Sequence, residues 1–151
     1  MPDEESTGAR EPRFRVSAAT LSSPDTRRLA RFYADLLGWV VVDDSDGWLR
    51  VRAPAGGMGL SFHHEDRYVR PVWPSVAGEQ LMMMHLDIGV DDLEAGIDRA
   101  RGLGATVAEF QPQSDVRVML DPDGHPFCLF ASGPRGEFDA VDWHGTTGGD
   151  R

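Results

Sequence analysis

Apolar and polar residues follow a pattern along this chain that occurs twice. Each copy begins with an extended apolar run and passes through one segment with helical periodicity. It then ends in three short runs typical of β-strands. The copies cover residues 14–64 and 80–132. The repeat therefore predicts two modules of the order strand, helix, strand, strand, strand, written βαβββ.

The helical segment of the first module has one apolar side. Its apolar residues follow the spacing i, i+3, i+4, i+7 and i+8, and they are Leu29, Phe32, Tyr33, Leu36 and Leu37. We expect this helix to begin at Ser23, with Pro24 in its first turn, and to end at Gly38. The predicted strands of the module are 15–22, 40–43, 48–53 and 58–63.

The helical segment of the second module is shorter. Its apolar positions are Leu93, Ile97, Ala100 and Leu103. Asp91 and Glu94 have the spacing of a capping box, and Gly104 is placed to close the helix. Residues 121–124, Asp-Pro-Asp-Gly, predict a tight turn before the last strand. The predicted strands are 81–90, 106–110, 116–120 and 127–131.

This order predicts an α+β fold with two four-stranded sheets that curl towards each other and one helix per module on the outer face. We call the hollow between the two sheets the cup. Residues 13–132 form the predicted domain, and residues 65–79 form the linker between the modules. The polar segments 1–12 and 133–151 are predicted to be a disordered tail and a flexible tail.

Composition narrows the classes of partner. The formal net charge of −10 opposes binding to nucleic acid and to anionic membranes. No apolar run has the length of a membrane span, and the N-terminus lacks the pattern of a signal peptide. The single cysteine, Cys128, has no partner for an internal disulfide. We therefore predict a cytoplasmic protein.

Three segments resemble the vicinal oxygen chelate superfamily, which includes glyoxalase I, bleomycin-resistance proteins, fosfomycin-resistance enzymes and extradiol dioxygenases. They are residues 32–39, 84–93 and 121–129, which read FYADLLGW, MHLDIGVDDL and DPDGHPFCL. The resemblance covers about residues 14–132 and is strongest to glyoxalase-like proteins of actinobacterial type. It implies the fold described above, a small-molecule ligand in the cup and a homodimer.

The resemblance also permits a test for a metal site. Metal-dependent members hold one divalent ion with His, Gln or Glu from the first and last strands of each module. The matching positions here are Ala18, Gly59, His85 and Cys128. Because two of them lack a metal-binding side chain, we predict no metal cofactor. The alternative is a divalent metal held by His63, His85 and Cys128, since strand alternation puts His63 on the cup face.

His85 and Cys128 are the candidate catalytic residues. His85 would act as an acid or base, or would activate the Cys128 thiol as a nucleophile. The alternatives are a hydrogen-bonded cleft histidine without a metal and a small buried cysteine. His64 and His125 are predicted to be surface residues.

Aromatic and polar residues on the predicted cup face make up the candidate ligand-binding set. The set is Trp48, Arg50, Ser61, His63, Met83, His85, Cys128 and Phe130. Arg50 and Arg52 either meet an anionic or carbonyl-bearing ligand, or are solvated while Trp48 packs against its neighbours.

The sequence thus predicts a glyoxalase-like small-molecule-binding protein that holds a planar, partly apolar ligand in the cup, as in sequestration or resistance. The alternative is a glyoxalase-like lyase, isomerase or dioxygenase-type enzyme that uses His85 or a rearranged metal site. A third hypothesis is a module that serves mainly in assembly.

Overall fold

Two helices and eight strands make up the part of the chain that the structure, a computed structural model, describes: residues 11–45 and 47–132. The elements of the first module are β1 (Ala18–Ser23), α1 (Thr26–Leu37), β2 (Val40–Ser45), β3 (Trp48–Arg52) and β4 (Gly59–His64). Those of the second are β5 (Leu86–Val90), α2 (Leu93–Gly102), β6 (Thr106–Val107), β7 (Val116–Leu120) and β8 (Pro126–Ala131).

The strands form two sheets of four with the same topology. The first sheet has the order β1-β4-β3-β2 and the second has the order β5-β8-β7-β6. In each sheet the first and last strands of the module pair in parallel, and the other pairs are antiparallel. The predicted α+β fold of two βαβββ modules with paired sheets is confirmed. Neither described helix has the length and apolar character needed to cross a membrane.

Each helix begins one or two residues later than predicted. Asp25, not Ser23, caps α1, and its side chain accepts the N–H of Arg28 at 3.1 Å. Asp92, not Asp91, caps α2 through the N–H of Ala95. Gly38 ends α1 in the left-handed conformation with φ of 67°, which glycine adopts without strain.

Two strands of the second module are shorter than predicted, and each has a local reason. The expected strand 81–90 begins only at Leu86, because the next partner along β8 would be Pro126, which has no N–H to donate. The expected strand 106–110 ends at Val107. The Gln111 side chain bonds the N–H and C=O of Val118, at 2.8 and 2.9 Å, and so takes the place of the ladder bond from the Val118 N–H, while the Ala108 N–H still donates to the Val118 carbonyl at 3.0 Å.

One apolar core lies between the helices and both sheets. Tyr33 of α1 stacks on Phe62 of the first sheet, with ring centroids 5.8 Å apart, and meets the edge of Phe127 of the second sheet at 6.1 Å. Leu60 and Phe62 are buried, as expected for residues on the face of β4 opposite to the one that carries His63. Because α1 packs on both sheets, the two modules share their core.

A buried polar cluster also joins the modules, and we call it the junction network: Asp121 and Asp123 with Tyr33, Ser23 and Arg28. The carboxylate of Asp121 accepts the Tyr33 hydroxyl at 2.9 Å. The carboxylate of Asp123 accepts the Ser23 hydroxyl and pairs with Arg28. The predicted tight turn of the second module is thereby bonded to the first strand and first helix of the other module.

The junction network predicts a stability effect that a surface contact would not have. Replacing Tyr33 by Phe should lower the free energy of unfolding by about 1.5–3 kcal/mol, because a buried carboxylate loses a donor. Urea denaturation measures this value. Arg27→Ala is the control, since the exposed pair of Arg27 with Asp44 should contribute within about 0.5 kcal/mol. Equal effects of the two substitutions would contradict a role for the network in holding the modules together.

Candidate functional site

A cavity of about 760 Å³ lies between the edge strand β1 and the segment that connects the modules. Its walls are Ala18–Ser22 of β1, linker residues between 65 and 71, residues 80–86, and His125 with Pro126. Tyr33 closes one side. The volume falls within the range of small-molecule pockets, about 300–1,000 Å³.

The lining of the cavity combines apolar and polar residues. Leu21 and Met82 supply apolar surface, His85 and His125 supply imidazoles, and the linker adds the charged Glu65 and Arg67. Residues 81–85 form part of the wall because they lie outside the sheet, before β5 begins. This composition is typical of a site for a partly apolar ligand.

The predicted ligand-binding residues do not all meet at this cavity. Met83 and His85 belong to its lining, and the side chain of His85 is 37% exposed. The other six are not among the lining residues: Trp48, Arg50, Ser61, His63, Cys128 and Phe130. This cavity therefore does not lie in the predicted cup between the two sheets.

Four of those six share the polar face of the first sheet. Trp48 stacks on His63, with ring centroids 6.4 Å apart. Arg50, which pairs with Ser61 in the β3–β4 register, forms an ion pair with Asp43 at 2.9 Å. Arg52 donates to the carbonyl of Ser17. Both arginines are thus bonded within the protein.

A cluster of potential metal ligands lies at the start of β5 and on the adjacent β8 of the second sheet. It consists of His85, Asp87 and Cys128, whose ligand atoms all lie within 4.8 Å of one another. His85 Nε2 is 3.1 Å from Asp87 Oδ1, and Asp87 is the register partner of Cys128. His63 is not part of this cluster. Among the described residues, the group of potential ligands therefore contains Asp87 in the place that the predicted alternative gave to His63.

Asp87 was missed although the sequence contained a signal for it. Residues 85 and 87 share a face by strand alternation, and the parallel β5–β8 pair brings residue 87 beside residue 128. Asp87 lies two residues after His85, which is the family's ligand position on the first strand of this module, and so is not itself at a family ligand position.

The strand register also shows which residue of the first module corresponds to Cys128. Ala18 pairs with Gly59 and Leu86 pairs with Phe127, so the two parallel pairs have the same sequence separation. When the helix caps Asp25 and Asp92 are aligned, the counterpart of Cys128 is Ser61 rather than Gly59. The first module still supplies no carboxylate or imidazole at these positions.

The surroundings of Cys128 keep its thiol protonated. Burial raises the pKa of the Cys128 thiol, and the charge of Asp87 and a hydrogen bond to Asp87 raise it further. A nucleophilic cysteine needs the opposite shift, as an adjacent imidazolium would produce. The geometry thus disfavours the predicted nucleophile activated by His85.

The junction network reaches the cavity through Tyr68 and His125. The Tyr68 hydroxyl donates to the carbonyl oxygen of Asp123 at 2.9 Å. Burial, then Asp121 and Asp123, raise the pKa of Tyr68, so its hydroxyl remains a donor at neutral pH. His125 was predicted to be a surface residue, but its side chain is only 19% exposed and forms part of the cavity wall. His64 is exposed as expected.

The paired βαβββ modules define a protein of the vicinal oxygen chelate type. A family model for the glyoxalase-like domain matches residues 18–130, and the chain belongs to this family. No curated protein sequence matches the chain.

Solved structures share the fold at low sequence identity. The chain is similar to a glyoxalase/bleomycin resistance protein/dioxygenase family enzyme from Burkholderia phytofirmans PsJN, with 14% identity and a TM-score of 0.61 over 78% of this chain and 98% of that one. A glyoxalase-related enzyme from Fulvimarina pelagi has 20% identity and a TM-score of 0.56 over 78% and 88%. A glyoxalase/bleomycin resistance protein from Albidiferax ferrireducens T118 has 18% identity and a TM-score of 0.55 over 77% and 97%.

The environment of Cys128 predicts that its thiol is alkylated slowly in the folded protein. The raised pKa means that at any pH near neutrality the folded protein has less thiolate than the unfolded chain, so iodoacetamide should react more slowly with the folded form. Asp87→Asn removes the charge and should speed alkylation at pH 8 by about threefold or more. The exposed Asp98→Asn on α2 is the control. An unchanged rate in Asp87→Asn would contradict the described contact.

Proposed function

We propose that this chain is a small-molecule-binding protein that holds a planar, partly apolar ligand in the cavity between β1 and residues 65–86. The observation that carries this proposal is the 760 Å³ cavity itself, whose walls combine apolar residues with polar ones. Sequestration requires only such a pocket and no chemical step. A homodimer and a cytoplasmic location stay predictions.

The residues of the wall have distinct roles in this proposal. Met82 and Met83 provide flexible thioether side chains that adapt to the shape of a ligand. His85 supplies a polar contact, and its Nε2 lies 3.1 Å from Asp87 Oδ1. Because β1 belongs to the first module and His85 to the second, a ligand in this position contacts both modules and should stabilise the folded state.

Filling the cavity should abolish ligand binding. At about 100 times its Kd, a ligand should add about 2.7 kcal/mol to the stability, which corresponds to a rise in Tm of about 5–10 °C. A panel of planar aromatic compounds tested by thermal unfolding would find such ligands. Met82→Trp places a large side chain in the cavity and should remove the rise in Tm.

Met58→Trp is the matched control, because Met58 is 45% exposed and lies outside the cavity lining. It should keep the ligand response of the wild-type protein. An equal rise in Tm in both variants would show that the ligand binds elsewhere.

The cluster of His85, Asp87 and Cys128 favours a second candidate function, a zinc-dependent lyase or isomerase. Its imidazole, carboxylate and thiol groups are all zinc ligands, and three protein ligands leave a position for substrate or water. The chemistry of the set therefore fits this metal better than magnesium or calcium, which prefer oxygen ligands. A bound zinc ion would supply Lewis-acid polarisation of a substrate oxygen.

Zinc binding should release a proton, because the Cys128 thiol is protonated at neutral pH and must be deprotonated to bind metal. Calorimetric titration with zinc in buffers of different ionisation enthalpy measures the number of protons released, which we expect to be about one. Cys128→Ser should weaken binding by at least about tenfold. The exposed His64→Ala, which removes the pair with Asp66, should not change it.

Equal zinc affinity of wild type and Cys128→Ser would rule out this cluster as the metal site. Loss of zinc binding in Cys128→Ser with an unchanged response to the aromatic panel would separate the two candidate functions.

A further inference from the structure

His125 lies where the junction network meets the cavity. Its Nδ1 is 2.8 Å from Oδ2 of Asp121, whose side chain is fully buried. Its imidazole ring packs against Tyr68 with centroids 5.4 Å apart, and both residues line the cavity. The ring is therefore held at Nδ1 by the protein at a position in the cavity wall.

The hydrogen bonds of Asp121 determine where the proton of His125 lies. One oxygen of the carboxylate accepts the N–H groups of Asp123 and His125, each at 2.9 Å. The other accepts the Tyr33 hydroxyl at 2.9 Å and meets the His125 ring at 2.8 Å. Since a carboxylate with these donors acts only as an acceptor, Nδ1 must carry a proton. In the neutral imidazole, Nε2 is then left as an acceptor.

Among the residues that the structure describes, the acceptor Nε2 has no good donor. In the described ranges, its polar side-chain contact is the Tyr68 hydroxyl, at 3.3 Å. That hydroxyl gives its proton to the carbonyl of Asp123 in the shorter bond of 2.9 Å. A mostly buried acceptor without a donor is unfavourable, so a donor from a ligand would be favoured at this position.

We propose that Nε2 of His125 accepts a hydrogen bond from the ligand. This inference rests on the proposed function and narrows the ligand to planar, partly apolar molecules that carry a hydroxyl or N–H group at one edge, such as phenols. His85, the other imidazole of the cavity wall, has its Nε2 3.1 Å from Asp87 Oδ1, and its side chain is 37% exposed, so water can reach its other ring nitrogen and the need for a donor from the ligand is smaller there.

The test compares phenol with anisole, which has a similar ring but no donor. ¹⁵N NMR of the labelled imidazoles should show His125 in the form protonated at Nδ1, and phenol should shift the Nε2 resonance whereas anisole should not. We expect phenol to bind about five- to tenfold more tightly than anisole. A proton on Nε2 in the neutral ring, or an Nε2 resonance that phenol does not move, would overturn the inference.

Substitutions test whether His125 is the residue responsible for the preference for phenol. His125→Phe should bind phenol and anisole equally, while His64→Phe, at an exposed histidine outside the cavity, should keep the preference for phenol. If His125→Phe does not fold, the NMR comparison on the wild-type protein decides. Equal binding of both probes by the wild type would contradict the acceptor role and leave the cavity proposal intact. Binding of neither probe would contradict both proposals.

Discussion

The structure depends on one buried carboxylate, that of Asp121. A charge of this kind in an apolar interior is costly unless donors surround it, and here a hydroxyl, two backbone N–H groups and an imidazole do so. The Tyr33 donor comes from the first module and the others come from the second. Separating the modules would leave the carboxylate short of a donor, in addition to exposing the core that Tyr33 and Phe127 share. The same bonds orient His125 towards the cavity.

The candidate site follows from how the two sheets end. Pro126 terminates the β5–β8 ladder, so residues 81–85 leave the sheet and form a wall opposite the edge strand β1. One step further along β5, where the ladder continues, Asp87 lies beside Cys128. A ligand cavity and a potential zinc cluster thus adjoin at His85, which belongs to both. This shared residue connects the two candidate functions, because a metal at the cluster would be placed at the wall of the cavity.

The elements with local signals could be predicted from the sequence, and those that depend on distant contacts could not. The apolar stripe of α1, the burial of Leu60 and Phe62 and the turn at 121–124 all follow from spacing within a few residues. Ser23 was wrongly assigned as the cap: its hydroxyl accepts the N–H of Asp25 and donates to Asp123, a hundred residues away, while the Asp25 side chain accepts the N–H of Arg28. His125 was assigned to the surface because its neighbours in sequence are turn residues, whereas its partners in space include Tyr68 of the linker. The candidate site was predicted only in part for the same reason, since the cavity depends on how the linker packs.

Native-state hydrogen exchange tests the central role of Asp121 most directly. The N–H groups of Asp123 and His125 donate to its carboxylate, and the N–H of Leu129 belongs to the core strand β8. If the carboxylate joins the modules as described, these amides should all exchange through global unfolding and show the same free energy. Exchange of Asp123 and His125 through local opening, at a much lower free energy than Leu129, would contradict this account.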